Sequence, residues 1–100
     1  MGFSLTQKTI ASAAPEPIST NDLYVSQALI QVHRENSSAV EVGPGAFDVD
    51  KGIQLAAPTE GEALPYISIV PTSPSNDLNL KNWNVRGPVG HRLNVLYEEH

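Results

Sequence analysis

Proline and glycine recur so often along this chain that a long helix has no room to form. The sequence has 8 prolines and 7 glycines among 100 residues. Proline lacks a backbone hydrogen-bond donor and fixes its own φ, and both residue types favour turns. They divide the chain into short apolar runs separated by turn signals. This punctuation indicates many short strands joined by turns, the pattern of a sandwich or a small barrel.

The stretch from residue 23 to residue 42 shows strand character most clearly. In its first run, apolar residues fall on one face and polar residues on the other: Tyr24, Ala28, Ile30 and Val32 against Gln27, Gln31 and His33. Such alternation, bounded by turn formers, indicates a strand with one buried face. After a polar segment at 33–38, Val40 and Val42 repeat the pattern, with Glu41 facing outward. We therefore predict that the two runs form a β-hairpin.

The later apolar runs have the same short, alternating character. Pro65 places its run at a sheet edge or at a strand start, because proline cannot donate to a strand ladder. The parity of apolar positions breaks between Leu80 and Trp83, which predicts a bulge or a corner. The predicted core contains Leu29 or its neighbours Ala28, Ile30 and Val32, together with Val40, Val42, Ile53, Leu55, Ile67, Ile69, Leu93 and Val95.

The expected fold class is all-β. We predict a small antiparallel β-sandwich, of which a jelly roll is one form, with an extended N-terminal arm. Residues 1–20 form the arm or linker, and residues 21–100 form the sandwich domain. Residues 1–10 alternate weakly, so they suit either an edge strand or an extended arm, and Pro15 and Pro17 then stiffen the chain. The arm is expected to contribute little to the fold of one subunit and much to assembly.

The charge balance argues against several classes of partner. With 11 acidic and 6 basic residues, the formal net charge is −5. Nucleic-acid binding needs clustered Lys and Arg at the phosphates, and anionic membranes attract a similar basic patch. The bases here are scattered, so neither nucleic acid nor membrane is an expected partner. The chain has no cysteine and therefore neither disulfides nor thiolate metal sites.

No catalytic constellation is visible in the sequence. His33, His91 and His100 lack metal-ligand spacing. Asp48 and Asp50 are spaced as in the start of a calcium loop, but Lys51 and the missing closing glutamate leave that motif incomplete, so the aspartates are interpreted as turn formers. We predict no catalytic, cofactor-binding or metal-binding residues, and no enzyme activity.

Several segments, in their order and spacing, resemble a family of small tailed-bacteriophage virion proteins. The similarity covers residues 23–98 and is carried by Leu29-Ile30-Gln31, Asn36, Val40-Glu41-Val42-Gly43, Val49, Gly52-Ile53-Gln54-Leu55, Pro58, Gly61-Glu62 and Leu93-Asn94-Val95-Leu96-Tyr97. Two features depart from the family pattern: Thr59 and Glu60 separate Pro58 from Gly61, and the loop at 71–77 is longer.

The resemblance implies a non-enzymatic virion structural protein. The expected role is a capsid decoration (cement) protein that binds the major capsid protein, or another virion protein, on the head surface after synthesis in the host cytoplasm. It also implies a homo-oligomer, such as a trimer that matches three-fold axes of the shell. The alternatives are a tail or head–tail connector component, or a small carbohydrate-binding module that stacks sugars on Trp83 and Tyr97. A cupin-like enzyme is a further alternative, for which the sequence offers no ligand set.

Overall fold

The computed structural model describes residues 2–45, 47–48, 51–71 and 78–99. In chain order the strands are β1 (Phe3–Thr9), β2 (Glu16–Pro17), β3 (Tyr24–Val32), β4 (Val40–Pro44), β5 (Ile53–Leu55), β6 (Tyr66–Ile69), β7 (Leu78–Asn79), β8 (Trp83–Arg86) and β9 (Arg92–Glu99). A 3-10 turn, Leu80–Asn82, lies between β7 and β8.

The strands form two antiparallel sheets. The first sheet has the order β1-β9-β3-β6, with β7 also paired to β3, and the second has the order β2-β8-β4-β5. With β7 set aside, successive strands alternate between the two sheets except at β4 to β5, as in a jelly roll. The all-β antiparallel sandwich predicted from the sequence is confirmed.

The core fills the space between the two sheets with aliphatic side chains. Of the predicted core residues, those confirmed as buried are Ala28, Ile30, Val32, Val40, Val42, Leu55, Ile69, Leu93 and Val95. Ile53 is 45% exposed, because β5 is the outermost strand of the second sheet. Ile67 is half-buried against the core. The buried residues that the alternation did not identify are Ile10, Val25, Leu78, Leu80 and Val85.

A register shift in β3 makes the predicted position of Tyr24 wrong. The pairing of β3 with β9 is irregular between Val25 and Gln27, where one extra residue enters the strand. The residues of β3 before the extra one therefore point to the face opposite to the predicted one. Val25 is fully buried, and Tyr24 is 47% exposed. From Ala28 onward the predicted inner face is the observed one.

The predicted hairpin between β3 and β4 is wrong, because the two strands belong to different sheets. The connection at 33–39 turns a corner that Asn36 holds. Its side-chain amide donates to the Arg92 carbonyl at 2.8 Å, and its Oδ1 accepts from the Arg92 N–H at 2.9 Å. The buried Asn36 thus bonds both backbone groups of Arg92, as a paired strand residue would.

Residues 3–9 form an edge strand, one of the two alternatives predicted for residues 1–10. They pair with β9 along its length, from Phe3 opposite Glu98 to Thr9 opposite Arg92. Ile10 follows and is fully buried. The expectation that residues 1–20 contribute little to the fold does not match this pairing.

Two other local predictions are confirmed. The change in alternation before Trp83 is a corner. Strand β7 pairs in the first sheet and β8 pairs in the second, with the 3-10 turn between them. The Asn79 Oδ1 caps that turn by accepting from the Lys81 N–H at 3.0 Å. Pro65 directly precedes β6, which is the edge strand of the first sheet opposite β1.

Candidate interaction surface

The outer face of the first sheet carries an apolar row that crosses three strands. Leu5 in β1 lies opposite Leu96 in β9, and Leu96 lies opposite Leu29 in β3. Directly opposed residues of antiparallel strands point to the same face. These three residues, named here the leucine row, therefore lie side by side on the face that points away from the core. Ser68 in β6 continues the row.

Two further rows flank the leucine row. On one side, Glu98 lies between Phe3 and Gln27, its partners on the two neighbouring strands. Val70 completes this row beside Gln27, because the preceding residue, Ile69, pairs with Ala28. On the other side the row consists of Gln7, Asn94, Gln31 and Tyr66. A groove of about 170 Å³ crosses the face, and its lining includes Phe3, Leu29, Val70 and Leu96.

The apolar side chains of this face are strongly exposed. Leu5 is 72% exposed, Val70 64%, Tyr66 60%, Phe3 58% and Leu96 37%. One exposed apolar residue is ordinary on a protein surface, but a contiguous apolar patch marks a contact site. The outer face of the first sheet is therefore the candidate site.

Charge is depleted at the centre of this face. Among the described residues of β1, β9, β3 and β6 that point outward, the charged ones are Arg92 and Glu98, near the two ends of β9. Arg92 pairs with Glu35 at 3.3 Å, and Glu98 accepts a hydrogen bond from the Ser26 hydroxyl at 2.8 Å. Depletion of charge with exposed aromatic residues is typical of the core of a protein–protein interface.

The β1 edge offers a second contact element. The Ile10 N–H donates to the His91 carbonyl, and the His33 N–H donates to the Arg92 carbonyl. Alternate residues of β9 therefore bond toward β1 and toward β3. By the same alternation, the backbone groups that point away from β9, along the open edge, belong to Phe3, Leu5, Gln7 and Thr9.

The outer face of the second sheet is occupied by the chain itself. Glu41 is 5% exposed and lies 3.4 Å from the Arg86 guanidinium. Its other carboxylate oxygen accepts from the Gly52 N–H at 3.3 Å. The Phe47 ring covers Gly43 and Gly52, and a Cβ at Gly52 would lie 2.7 Å from that ring. A depression of about 470 Å³ beside the ion pair is lined by polar and apolar residues, among them Ser38, Ala39 and Pro88.

The histidines and aspartates considered in the sequence take local roles. The His91 Nε2 accepts from the backbone N–H groups of Ser37 and Ser38, each at 3.2 Å, and the His33 Nδ1 accepts from the Glu35 N–H at 3.1 Å. Asp48 is exposed, and its carbonyl accepts from the Lys51 N–H. Asp50 and His100 lie outside the described residues. Within the described ranges, no group of three or more potential metal ligands occurs.

The aromatic rings expected for sugar stacking are not the exposed ones. Trp83 and Tyr97 are half-buried and pack against the core. Phe3, Tyr24 and Tyr66 are exposed instead. The leucine row was missed as a site because each leucine is unremarkable alone, although Leu29 and Leu96 stand at positions where the alternation calls for polar residues.

Comparison with known proteins gives no match: no family model, no curated protein and no solved structure matches the chain. Within the part of the chain that the structure describes, no helix is long and apolar enough to cross a membrane. The functional argument therefore rests on the surface of this chain and on the resemblance described for its sequence.

Proposed function

We propose that this protein is a non-enzymatic structural component of a bacteriophage virion, a decoration (cement) protein that binds the major capsid protein on the head surface. The observation that carries the proposal is the open edge of β1. This strand is seven residues long, and alternate backbone groups along it point away from the sheet. A shell protein can add a strand there, with main-chain hydrogen bonds supplying affinity.

The β1 edge lacks two of the usual protections against strand addition. Natural edge strands are blocked by charges, including inward-pointing ones, and by prolines or bulges. Lys8, the charged residue of β1, lies opposite Leu93 and so faces inward, where its ammonium lies 4.0 Å from the Glu16 carboxylate. Prolines do not occur within β1, and its pairing with β9 is regular from Phe3 to Thr9. Neither a proline nor a bulge therefore blocks an added strand here, and the inward charge of Lys8 is paired with Glu16.

The resemblance in the sequence supports a virion and leaves its location to experiment. A tail or head–tail connector component would use the same edge in another part of the particle. Jelly rolls serve as viral capsid proteins, lectins and cupins, so the fold supports the proposal without selecting it. For a carbohydrate-binding module, the half-buried Trp83 and Tyr97 do not offer an open stacking platform.

The test compares two variants at one outward-pointing position of β1. Gln7→Pro removes an N–H that the fold itself does not use, and Gln7→Ser keeps that N–H while removing the same side-chain hydrogen bond to Asn94. We expect Gln7→Pro to bind particles lacking this protein at least about ten-fold more weakly than Gln7→Ser, a difference of about 1.4 kcal/mol. Equal occupancy by the two variants, at equal unfolding temperatures, would contradict the edge as the anchor.

Two further measurements address the particle itself. Mass spectrometry of purified particles is expected to detect the chain, and its absence from them would contradict the virion proposal. An image reconstruction of particles carrying a tagged chain should show density on the head surface, whereas density on the tail or the neck would support the connector alternative. Occupancy should survive EDTA at constant ionic strength, since the proposed contacts need no metal.

A further inference from the structure

Two copies of the outer face of the first sheet can be stacked so that each row of one copy lies over the same row of the other. Rotation by 180° about a line parallel to the strands, between β9 and β3, exchanges β9 with β3 and β1 with β6 in the order β1-β9-β3-β6. Leu96 then lies over Leu29 of a second copy, and Leu29 lies over its Leu96. In the flanking row, Phe3 lies over Val70 of the second copy.

We propose that two copies of this chain dock face to face through the outer face of the first sheet, related by this two-fold axis. The contact is isologous: each copy uses the same surface. The leucine rows stack at its centre, and the Phe3–Val70 contacts lie on both sides of the axis. Sheets packed in this way keep their strands aligned within about 30°.

The other in-plane axis loses the contact of the Phe3 ring. A line perpendicular to the strands, through the leucine row, would lay each strand over its own reversed copy. Each leucine would then lie over itself, but Phe3 would lie over Gln7 and Glu98 over Asn94. The axis parallel to the strands lays Leu96 over Leu29 and Phe3 over Val70, with Leu5 over Ser68 and Gln7 over Tyr66. The parallel axis therefore gives the exposed Phe3 ring an apolar partner.

The charges on the face oppose the proposed pairing at one end of β9. Glu98 of one copy lies over Gln27 of the other, because these residues are opposed in the sheet. The two Glu98 carboxylates are therefore one strand position apart, about 5 Å along the sheet, and repel one another. Arg92 lies near the opposite end of β9 and is paired with Glu35 of its own chain. The repulsion at Glu98 favours a weak and reversible contact.

The size of the face sets the expected affinity. Three strands of seven to nine residues and the four-residue β6, spaced about 4.8 Å apart, give a footprint of at most roughly 19 by 23 Å. This footprint, roughly 440 Å², is smaller than the surface of about 800 Å² that each partner buries in a standard stable interface. We therefore expect a reversible dimer with a Kd on the order of micromolar, not an obligate one.

A matched pair of valines tests the location of the interface. Val70 is 64% exposed and lies on the face, whereas Val89 is 65% exposed and lies in the turn before β9. Sedimentation velocity of the purified chain over a concentration series gives the dimer Kd. We expect Val70→Asp to raise the Kd at least about ten-fold and Val89→Asp to change it less than about two-fold. Equal effects of the two substitutions, or a monomer throughout the series, would overturn the proposal.

Cysteine cross-linking tests the symmetry, since the chain has no cysteine of its own. Facing sheets pack about 10 Å apart, too far for a direct disulfide, so a bis-maleimide of similar length is used. A mixture of Phe3→Cys chains and Val70→Cys chains should form a cross-linked dimer that contains one of each. Each variant alone should not, because the two Phe3 positions are separated by roughly 14 Å along the sheet as well as by the spacing between the sheets. Cross-linking by Phe3→Cys alone, as pairing between two β1 edges would give, or a trimer in sedimentation, would overturn the proposed axis. Both experiments use purified protein, so their outcome is independent of the virion proposal.

Discussion

The outer faces of the two sheets differ in how much the chain itself covers them. The second sheet has a buried carboxylate, Glu41, which bonds Arg86 and the backbone of Gly52, and the Phe47 ring lies over its glycines. The first sheet presents the leucine row and exposed aromatic rings, with charges only toward the ends of β9 among the described residues. One face is closed by the chain itself, and the other is left for another molecule.

This difference separates stability from assembly. On the second sheet, the outward-pointing Glu41 bonds Arg86 and the Gly52 N–H, so its loss is expected to weaken the fold. On the first sheet, the outward-pointing residues are more exposed, so their loss is expected to affect association more than stability. The substitutions that follow test that separation, beginning with the largest expected effect.

The largest effect is expected between two leucines of the same strand. Leu93 is fully buried between the sheets, whereas Leu96 belongs to the leucine row on the outer face. Leu93→Ala should lower the free energy of unfolding by about 2–5 kcal/mol, because it leaves a cavity in the core. Leu96→Ala should cost less than about 1 kcal/mol in dilute solution. Urea denaturation measures both, and equal costs would contradict the assignment of the two faces.

The next effect compares two ion pairs. Arg86→Met removes a donor from Glu41, which is nearly buried, and should lower the free energy of unfolding by about 1–3 kcal/mol. Arg92→Met removes the exposed pair with Glu35 and should cost less than about 0.5 kcal/mol. Thermal unfolding at low protein concentration compares the two. A larger loss for Arg92→Met would reverse the contrast between the outer faces.

The sequence was sufficient for the class of fold because alternation in short runs reports a buried face directly. Ala28, Ile30, Val40, Val42 and Val95 were all assigned correctly to the inner face. Alternation does not specify which strands pair. The polar segment at 33–38 suits a hairpin turn as well as a corner, and the corner depends on contacts between Asn36 and Arg92, 56 residues apart in sequence.

The candidate surface was harder to predict for a related reason. Leu5, Leu29 and Leu96 form a row only through the registers of β1 with β9 and of β9 with β3. The parity of Tyr24 was wrong because a single extra residue shifts it, and nothing in the composition of the strand marks that position. Surfaces built from distant strands need the pairing first.

A smaller effect is expected at Gly52, which lies beneath the Phe47 ring. A Cβ there would lie 2.7 Å from the Phe47 ring and 3.0 Å from the Glu41 Cβ. Gly52→Ala should therefore displace the ring and lower the free energy of unfolding by about 1 kcal/mol. Gly2→Ala is the matched control, since nothing lies within 4 Å of a Cβ at Gly2. Equal unfolding midpoints for the two variants would show that the ring does not pack as described.

The smallest effect on stability is expected from Leu5→Gln. Leu5 is the most exposed of the large apolar side chains on the outer face, so in dilute solution the unfolding free energy should change by less than about 0.5 kcal/mol. The same substitution should weaken dimer formation, which sedimentation measures at high concentration. A loss of more than about 2 kcal/mol in the dilute monomer would mean that Leu5 supports the fold itself.

Hydroxyl-radical footprinting as a function of protein concentration tests the central claim most directly. Rates of side-chain oxidation are measured from about 1 µM to about 1 mM, a range that spans the expected Kd. The account predicts that protection rises with concentration at Phe3, Leu5 and Tyr66, while Ile53 on the second sheet and Val89 in its turn stay unchanged. Constant rates at Phe3, Leu5 and Tyr66, or equal protection at Ile53 and Val89, would contradict it.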